Sequence, residues 1–110
     1  MTAPFLIEFP ADDAKRARAF WEALLEISLA DRRADEGQGW QAERGSIAIG
    51  VHERGQGPGD RYSLPYFPVA DLPAAIERVR SLGGEVVHPG ERWAICRDSE
   101  GTPFGLAAAP

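Results

Sequence analysis

A few side chains in this sequence have the chemistry to hold or transform a small molecule, and their settings differ. Glu8 stands inside the short apolar run Phe5-Leu-Ile-Glu-Phe9. A carboxylate on the inward face of such a strand would be desolvated, suited to act as a general base or as the partner of a cation. It is equally able to form a structural pair with Arg61, Arg92 or Arg97. His52 ends a second apolar run beside Glu53-Arg54, where an imidazole can serve a site or simply meet solvent. His88 precedes the turn pair Pro89-Gly90 and reads as a surface residue. Cys96 is the single cysteine, so neither an intramolecular disulfide nor a cysteine metal cluster is available. It lies in the apolar stretch Trp93 to Cys96 with no histidine near it in sequence, the setting of an inert buried thiol. The glycines of Gly55-Gln-Gly-Pro-Gly-Asp60 lack the following lysine and helix that a phosphate loop needs, so this stretch reads as a linker.

These groups need a scaffold, and the composition says which kinds are possible. The 110 residues are 44% hydrophobic and 26% charged, the balance of one folded domain that builds its own core. Acidic residues outnumber basic ones 17 to 12, for a net charge of −5, and the basic ones are dispersed. That excludes a nucleic-acid partner as a working expectation. The sequence contains no run long and apolar enough to span a bilayer, and its first nine residues show neither a basic region nor a cleavage site, so a cytoplasmic protein without a membrane partner is expected.

Hydrophobic spacing predicts the elements. The run Phe5 to Phe9, closed by Pro10, is a strand. Asp12 or Asp13 can cap a helix over Ala14 to Leu25, where Ala17, Phe20, Trp21, Leu24 and Leu25 recur on one face and Lys15, Arg16, Arg18 and Glu22 are left for solvent. The chain is then polar and irregular up to Gly39. Trp40 to Glu43 and Ser46 to His52 read as strands joined at Arg44-Gly45. The second half repeats the order: a strand over Tyr62 to Val69, then a helix capped by Asp71 with Leu72, Ala75, Ile76, Val79 and Leu82 on one face. Gly83-Gly84 ends that helix, and strands follow over Glu85 to His88, Arg92 to Arg97 and Pro103 to Ala107. Each half reads as strand, helix, three strands.

The halves also match residue by residue. At an offset of 58 residues Leu64 falls on Leu6, Phe67 on Phe9, Pro68 on Pro10, Asp71 on Asp13, Ala75 on Ala17 and Leu82 on Leu24. Matches on strand, turn, cap and helix face argue for duplication. One domain over 1–110 is expected, with module one about 1–54, a linker at 55–60 and module two about 61–110.

Ile7-Glu-Phe-Pro-Ala-Asp-Asp13 with Arg18-Ala-Phe-Trp-Glu-Ala-Leu-Leu25 resembles the opening of a vicinal-oxygen-chelate domain, the superfamily of glyoxalase I, bleomycin-resistance proteins and extradiol dioxygenases. Val69-Ala-Asp-Leu-Pro-Ala-Ala-Ile76, Leu82-Gly-Gly84 and Arg97-Asp-Ser-Glu-Gly-Thr-Pro-Phe-Gly-Leu106 resemble its second half. The resemblance implies an α+β fold in which two βαβββ modules form curled mixed sheets around a cleft, with the helices outside. It also implies a homodimer.

Metal-dependent members of that superfamily place one ligand on each of four strands. Carried onto this sequence, the positions are Leu6, Gly50 (or Ile49), Leu64 and Gly105, none of which can coordinate an ion through its side chain. No metal and no cofactor is therefore expected, and metal-assisted isomerase or dioxygenase chemistry is not. Because residues two apart share a strand face, Glu8, His52 and Tyr66 join those positions in the cleft, and the superfamily's architecture adds Trp93 and Ile95. Trp40 is either a further aromatic wall or plain packing. Such a lining suits an aromatic or amphipathic ligand. The leading expectation is a metal-free binding or sequestering protein and not an enzyme; the alternative is a metal-independent isomerase or lyase with Glu8 as general base and Tyr66 or His52 as acid.

Overall fold

The computed structural model describes residues 4–32, 39–44, 47–57 and 60–108, with the side chains of Glu43 and Arg44 left aside. In chain order the elements are β1 (Leu6–Ala11), α1 (Ala14–Leu25), β2 (Ala30–Asp31), β3 (Trp40–Arg44), β4 (Ile47–Glu53), β5 (Leu64–Val69), α2 (Leu72–Ser81), β6 (Glu85–His88), β7 (Trp93–Arg97) and β8 (Pro103–Ala108). Arg44 belongs to β3. The rest of the Arg44-Gly45 turn, Ser46, and the Pro58-Gly59 pair of the linker lie outside the described residues.

All eight strands form one mixed sheet in the order β2-β3-β4-β1-β5-β8-β7-β6. The arrangement is a pseudo-twofold one. In the first module β1 runs parallel to β4, in the second β5 runs parallel to β8, and the modules join where β1 and β5 pair antiparallel, with Leu6 opposite Tyr66 and Glu8 opposite Leu64. Within this chain the two modules thus complete each other across the centre of the sheet, which is not closed into a barrel. None of the described helices is long and apolar enough to cross a membrane.

The duplication extends to the helix starts. Asp13 and Asp71 both cap from extended backbone, φ −129° and −132°, and each side chain accepts a hydrogen bond from the backbone N–H three residues on, at 3.0 Å from Arg16 and 3.0 Å from Ala74. Both helices pack on the same side of the sheet. Under α2, Leu72 and Ile76 are buried with Ala94, Cys96 and Leu106, while Phe67, Val69, Val79 and Phe104 close the cluster. Under α1, Ala14 is buried with Leu29 and Val51. Trp21 stacks on Phe9 with ring centroids 4.6 Å apart and planes 13° from parallel.

Two helix faces differ from the expectation. The apolar stripe of α1 is wider than the sheet beneath it: Trp21 fills the contact, leaving Phe20 58% and Leu24 60% exposed, and Leu25 is also exposed. Leu82, at the frayed end of α2, is exposed as well. Conversely, Arg18 and Glu22 are not simply solvated. Arg18 Nη2 donates to the Leu29 carbonyl (2.7 Å), and Glu22 Oε2 accepts from the Leu29 N–H (2.9 Å), so the pair satisfies both backbone groups of a buried residue.

Replacing either capping aspartate with alanine leaves one N-terminal N–H group without its acceptor. Asp13→Ala and Asp71→Ala are each expected to lower unfolding free energy by about 1 kcal/mol, read as a shift in urea midpoint without a change in slope.

Candidate functional site

The helix-free face of the sheet carries the second set of alternating residues. Register places Ala48, Leu6, Tyr66, Gly105 and Ile95 in one row across β4, β1, β5, β8 and β7, and Gly50, Glu8 and Leu64 in the next. No helix covers this face, yet Leu6, Ala48, Leu64 and Ile95 are buried. The covering groups include two side chains that lie over glycines. A Cβ at Gly50 would collide with the guanidinium of Arg32, and a Cβ at Gly105 would collide with the ring of Tyr66. Glycine at both positions is what admits these two side chains.

Arg32 is carried to its place by a chain of local interactions. The clamp of Arg18 and Glu22 fixes Leu29 against α1; the two residues of β2 then pair with β3, Ala30 opposite Gln41 and Asp31 opposite Trp40. The Arg32 N–H donates to the Gly39 carbonyl at 3.3 Å. From there its side chain reaches over Gly50, and Nη2 donates to Glu8 Oε1 at 2.7 Å. The Arg32 side chain is only 4% exposed and that of Glu8 11%, so this is a buried ion pair.

The second oxygen of Glu8 faces His52, with Nε2 to Oε2 at 3.2 Å. His52 Nδ1 lies 2.8 Å from the backbone carbonyl of Glu53. A carbonyl only accepts, so Nδ1 carries a hydrogen. Nε2 is then the ring nitrogen left to face the carboxylate. Burial of the Tyr66 phenol, reinforced by the negative charge of Glu8 and opposed by Arg32, pushes its pKa well above the ordinary tyrosine range, so it remains an O–H donor. That hydroxyl makes no hydrogen bond to the described residues.

Other residues fall elsewhere. Trp40 is not a wall of the cleft: it pairs with Val51, packs on the helix side against the cluster of Ala14 and Leu29, and has the Arg18 guanidinium 5.1 Å over its ring. The reason is register, since the partner of inward Gly50 is Gln41, one residue further on. Trp93 shares the face of Ile95 but is 39% exposed, at the rim and not inside. Glu8 pairs with Arg32 and His52, not with Arg61, Arg92 or Arg97. Cys96 is buried in the α2 core, and the same burial raises its thiol pKa. A shallow depression of about 400 Å³ lies at the ends of β1 and β4, lined by Asp12, Arg54, Gly55, Gln56 and Arg61.

The family profile described as a Glyoxalase-like domain matches residues 6–107. The chain belongs to this family, and with it to the vicinal-oxygen-chelate superfamily. Among solved structures it is similar to a hypothetical protein from Bacillus halodurans, at 16% identity and a TM-score of 0.74, covering 99% of this chain and 95% of that one. It is also similar to methylmalonyl-CoA epimerase from Mycobacterium tuberculosis, at 18% identity and a TM-score of 0.71, covering 97% and 88%. A third similar structure is described as NAD-dependent benzaldehyde dehydrogenase from Legionella pneumophila, at 10% identity and a TM-score of 0.66, covering 96% and 98%. At these identities the likeness concerns the fold. No curated protein sequence matches significantly.

The superfamily's divalent ion does not fit the residues present. Leu6 and Leu64 offer hydrocarbon, Gly50 and Gly105 offer no side chain, and a guanidinium already fills the space over Gly50. A second cation there would meet electrostatic repulsion and no donor set. Among the described residues no group of three or more His, Cys, Asp or Glu is arranged to hold a metal.

The tautomer can be read directly. With only two histidines in the chain, ¹⁵N spectra of the imidazoles of a His88→Gln protein report His52 alone. Nδ1 is expected to carry a proton hydrogen-bonded to the Glu53 carbonyl, in the otherwise wild-type protein and with Glu8→Gln alike. A wild-type ring with bare Nδ1 contradicts the assignment.

Proposed function

We propose that this domain binds, and thereby sequesters, a small aromatic or amphipathic compound in the cleft of its helix-free face, without a metal ion. The observation that carries this reading is the content of the four positions that would hold the ion. Leucines and glycines stand there, and Arg32 and Tyr66 are laid over the glycines in place of coordinating groups. The result is an apolar floor of Leu6, Leu64 and Ile95 with one buried polar cluster at its centre and Trp93 at its rim, a composition suited to a flat molecule with few polar atoms. The acid pair at Glu8 and His52 supports an alternative, a metal-independent isomerase or lyase in which Glu8 takes a proton and His52 or Tyr66 returns one. A homodimer is proposed with either reading, and sedimentation of the purified protein tests it.

Binding is the simpler reading because both carboxylate oxygens of Glu8 are already engaged, whereas a general base needs one of them turned to substrate. Trp93 fluorescence offers a readout. Titration with a panel of two- and three-ring aromatics should give saturable quenching for some members, with affinity unchanged by EDTA. A broad panel without saturable binding, or affinity lost on chelation and restored by a divalent ion, contradicts the proposal. Turnover of any bound compound that Glu8→Gln abolishes would establish the enzyme.

A further inference from the structure

The polar groups of the cleft are not balanced between donors and acceptors. Glu8 is the acidic residue buried on this face, and each of its oxygens already has a partner, Oε1 accepting from Arg32 at 2.7 Å and Oε2 lying 3.2 Å from His52 Nε2. His52 has its other nitrogen committed to the Glu53 carbonyl. The Tyr66 hydroxyl is a donor without a hydrogen-bond partner among the described residues, on a ring that lies over Gly105 in the same row as Leu6 and Ile95. Because Leu6 faces Tyr66 and Glu8 faces Leu64, Tyr66 and Glu8 are diagonal neighbours across β1 and β5, roughly 7–8 Å apart at their backbones. One ligand oxygen can therefore meet the phenol beside the Glu8 cluster.

We infer that the cleft selects compounds carrying an acceptor oxygen conjugated to a flat apolar frame, such as an aryl ketone or a quinone, with the Tyr66 hydroxyl as the specificity-determining donor. Hydrocarbons of the same shape cover that hydroxyl without pairing it, and a ligand with only a donor cannot accept from it. An unpaired polar group in a desolvated site weighs more than the loss of one contact, because its own desolvation goes uncompensated. The inference rests on the cleft being the ligand site, as proposed above.

The test is a set of matched probes, 2-acetylnaphthalene, 2-ethylnaphthalene and 2-naphthylmethanamine, titrated against the wild-type protein and Tyr66→Phe by tryptophan fluorescence and calorimetry. The expected result is at least tenfold tighter binding of the ketone than of the ethyl compound by wild type. Tyr66→Phe should shrink that preference to less than threefold while leaving the affinity for 2-ethylnaphthalene unchanged. Tyr66→Phe keeps the ring over Gly105, and its circular dichroism and melting curve check that it is folded. Equal binding of ketone and hydrocarbon by wild type overturns this inference but leaves the binding function standing, as does a preference that survives in Tyr66→Phe or tighter binding of the amine. Failure of all three probes to bind overturns both.

Discussion

A buried carboxylate and a buried guanidinium, 2.7 Å apart on the helix-free side of the central strands, constrain most of what surrounds them. Either charge alone would be strongly unfavourable in this setting, since removing an ion from water costs several kcal/mol even after relaxation. Their mutual attraction offsets that cost only if the geometry holds. Gly50 must lack a side chain for Arg32 to reach Glu8, and Arg32 must be delivered to that point by the clamp of Arg18 and Glu22 on Leu29 and by the short pairing of β2 with β3. Features that look peripheral, a salt bridge on α1 and a two-residue edge strand, thus serve the centre of the sheet.

The duplicated architecture solves the same problem twice, in different ways. Each module presents a late strand with a glycine in the middle of the inward face, at Gly50 and Gly105. The first module covers its glycine with a cation from outside the sheet, the second with an aromatic ring from the adjacent strand. Leu6 and Leu64, repeat partners by sequence, stay hydrophobic and form the floor between them. In the vicinal-oxygen-chelate fold this is where coordinating residues would converge. Here the positive charge on that face is covalently part of the chain and paired with Glu8.

Much of this was legible in the sequence, for definite reasons. The 58-residue offset and the two capping aspartates fixed the modules and the helix starts, because caps and apolar periodicity are local signals. Strand alternation brought Leu6 and Glu8, Leu64 and Tyr66, onto one face. Arg32 was not legible. It sits in a polar segment without period, and β2 owes its existence to pairing with β3 and not to any propensity of Ala30 and Asp31. The sequence offers Arg61, Arg92 and Arg97 as partners of Glu8, whereas the cation is Arg32, the residue after β2. Trp40 was open to either face until the register with Val51 settled it. The exposed Phe20 and Leu24 show the converse limit: spacing defines an apolar stripe, but only the tilt of the helix decides how much of it the sheet covers.

Arg32 and Glu8 form one compensated unit on the helix-free face, and a double-mutant cycle measures it most directly. Urea unfolding of wild type, Arg32→Met, Glu8→Leu and the double variant gives the coupling. Each single substitution removes one ion of a buried pair and is expected to destabilise by about 3–5 kcal/mol, with the double variant far more stable than the two losses added. If the single effects are small, or simply add in the double variant, the pair is not the organising interaction of this cleft.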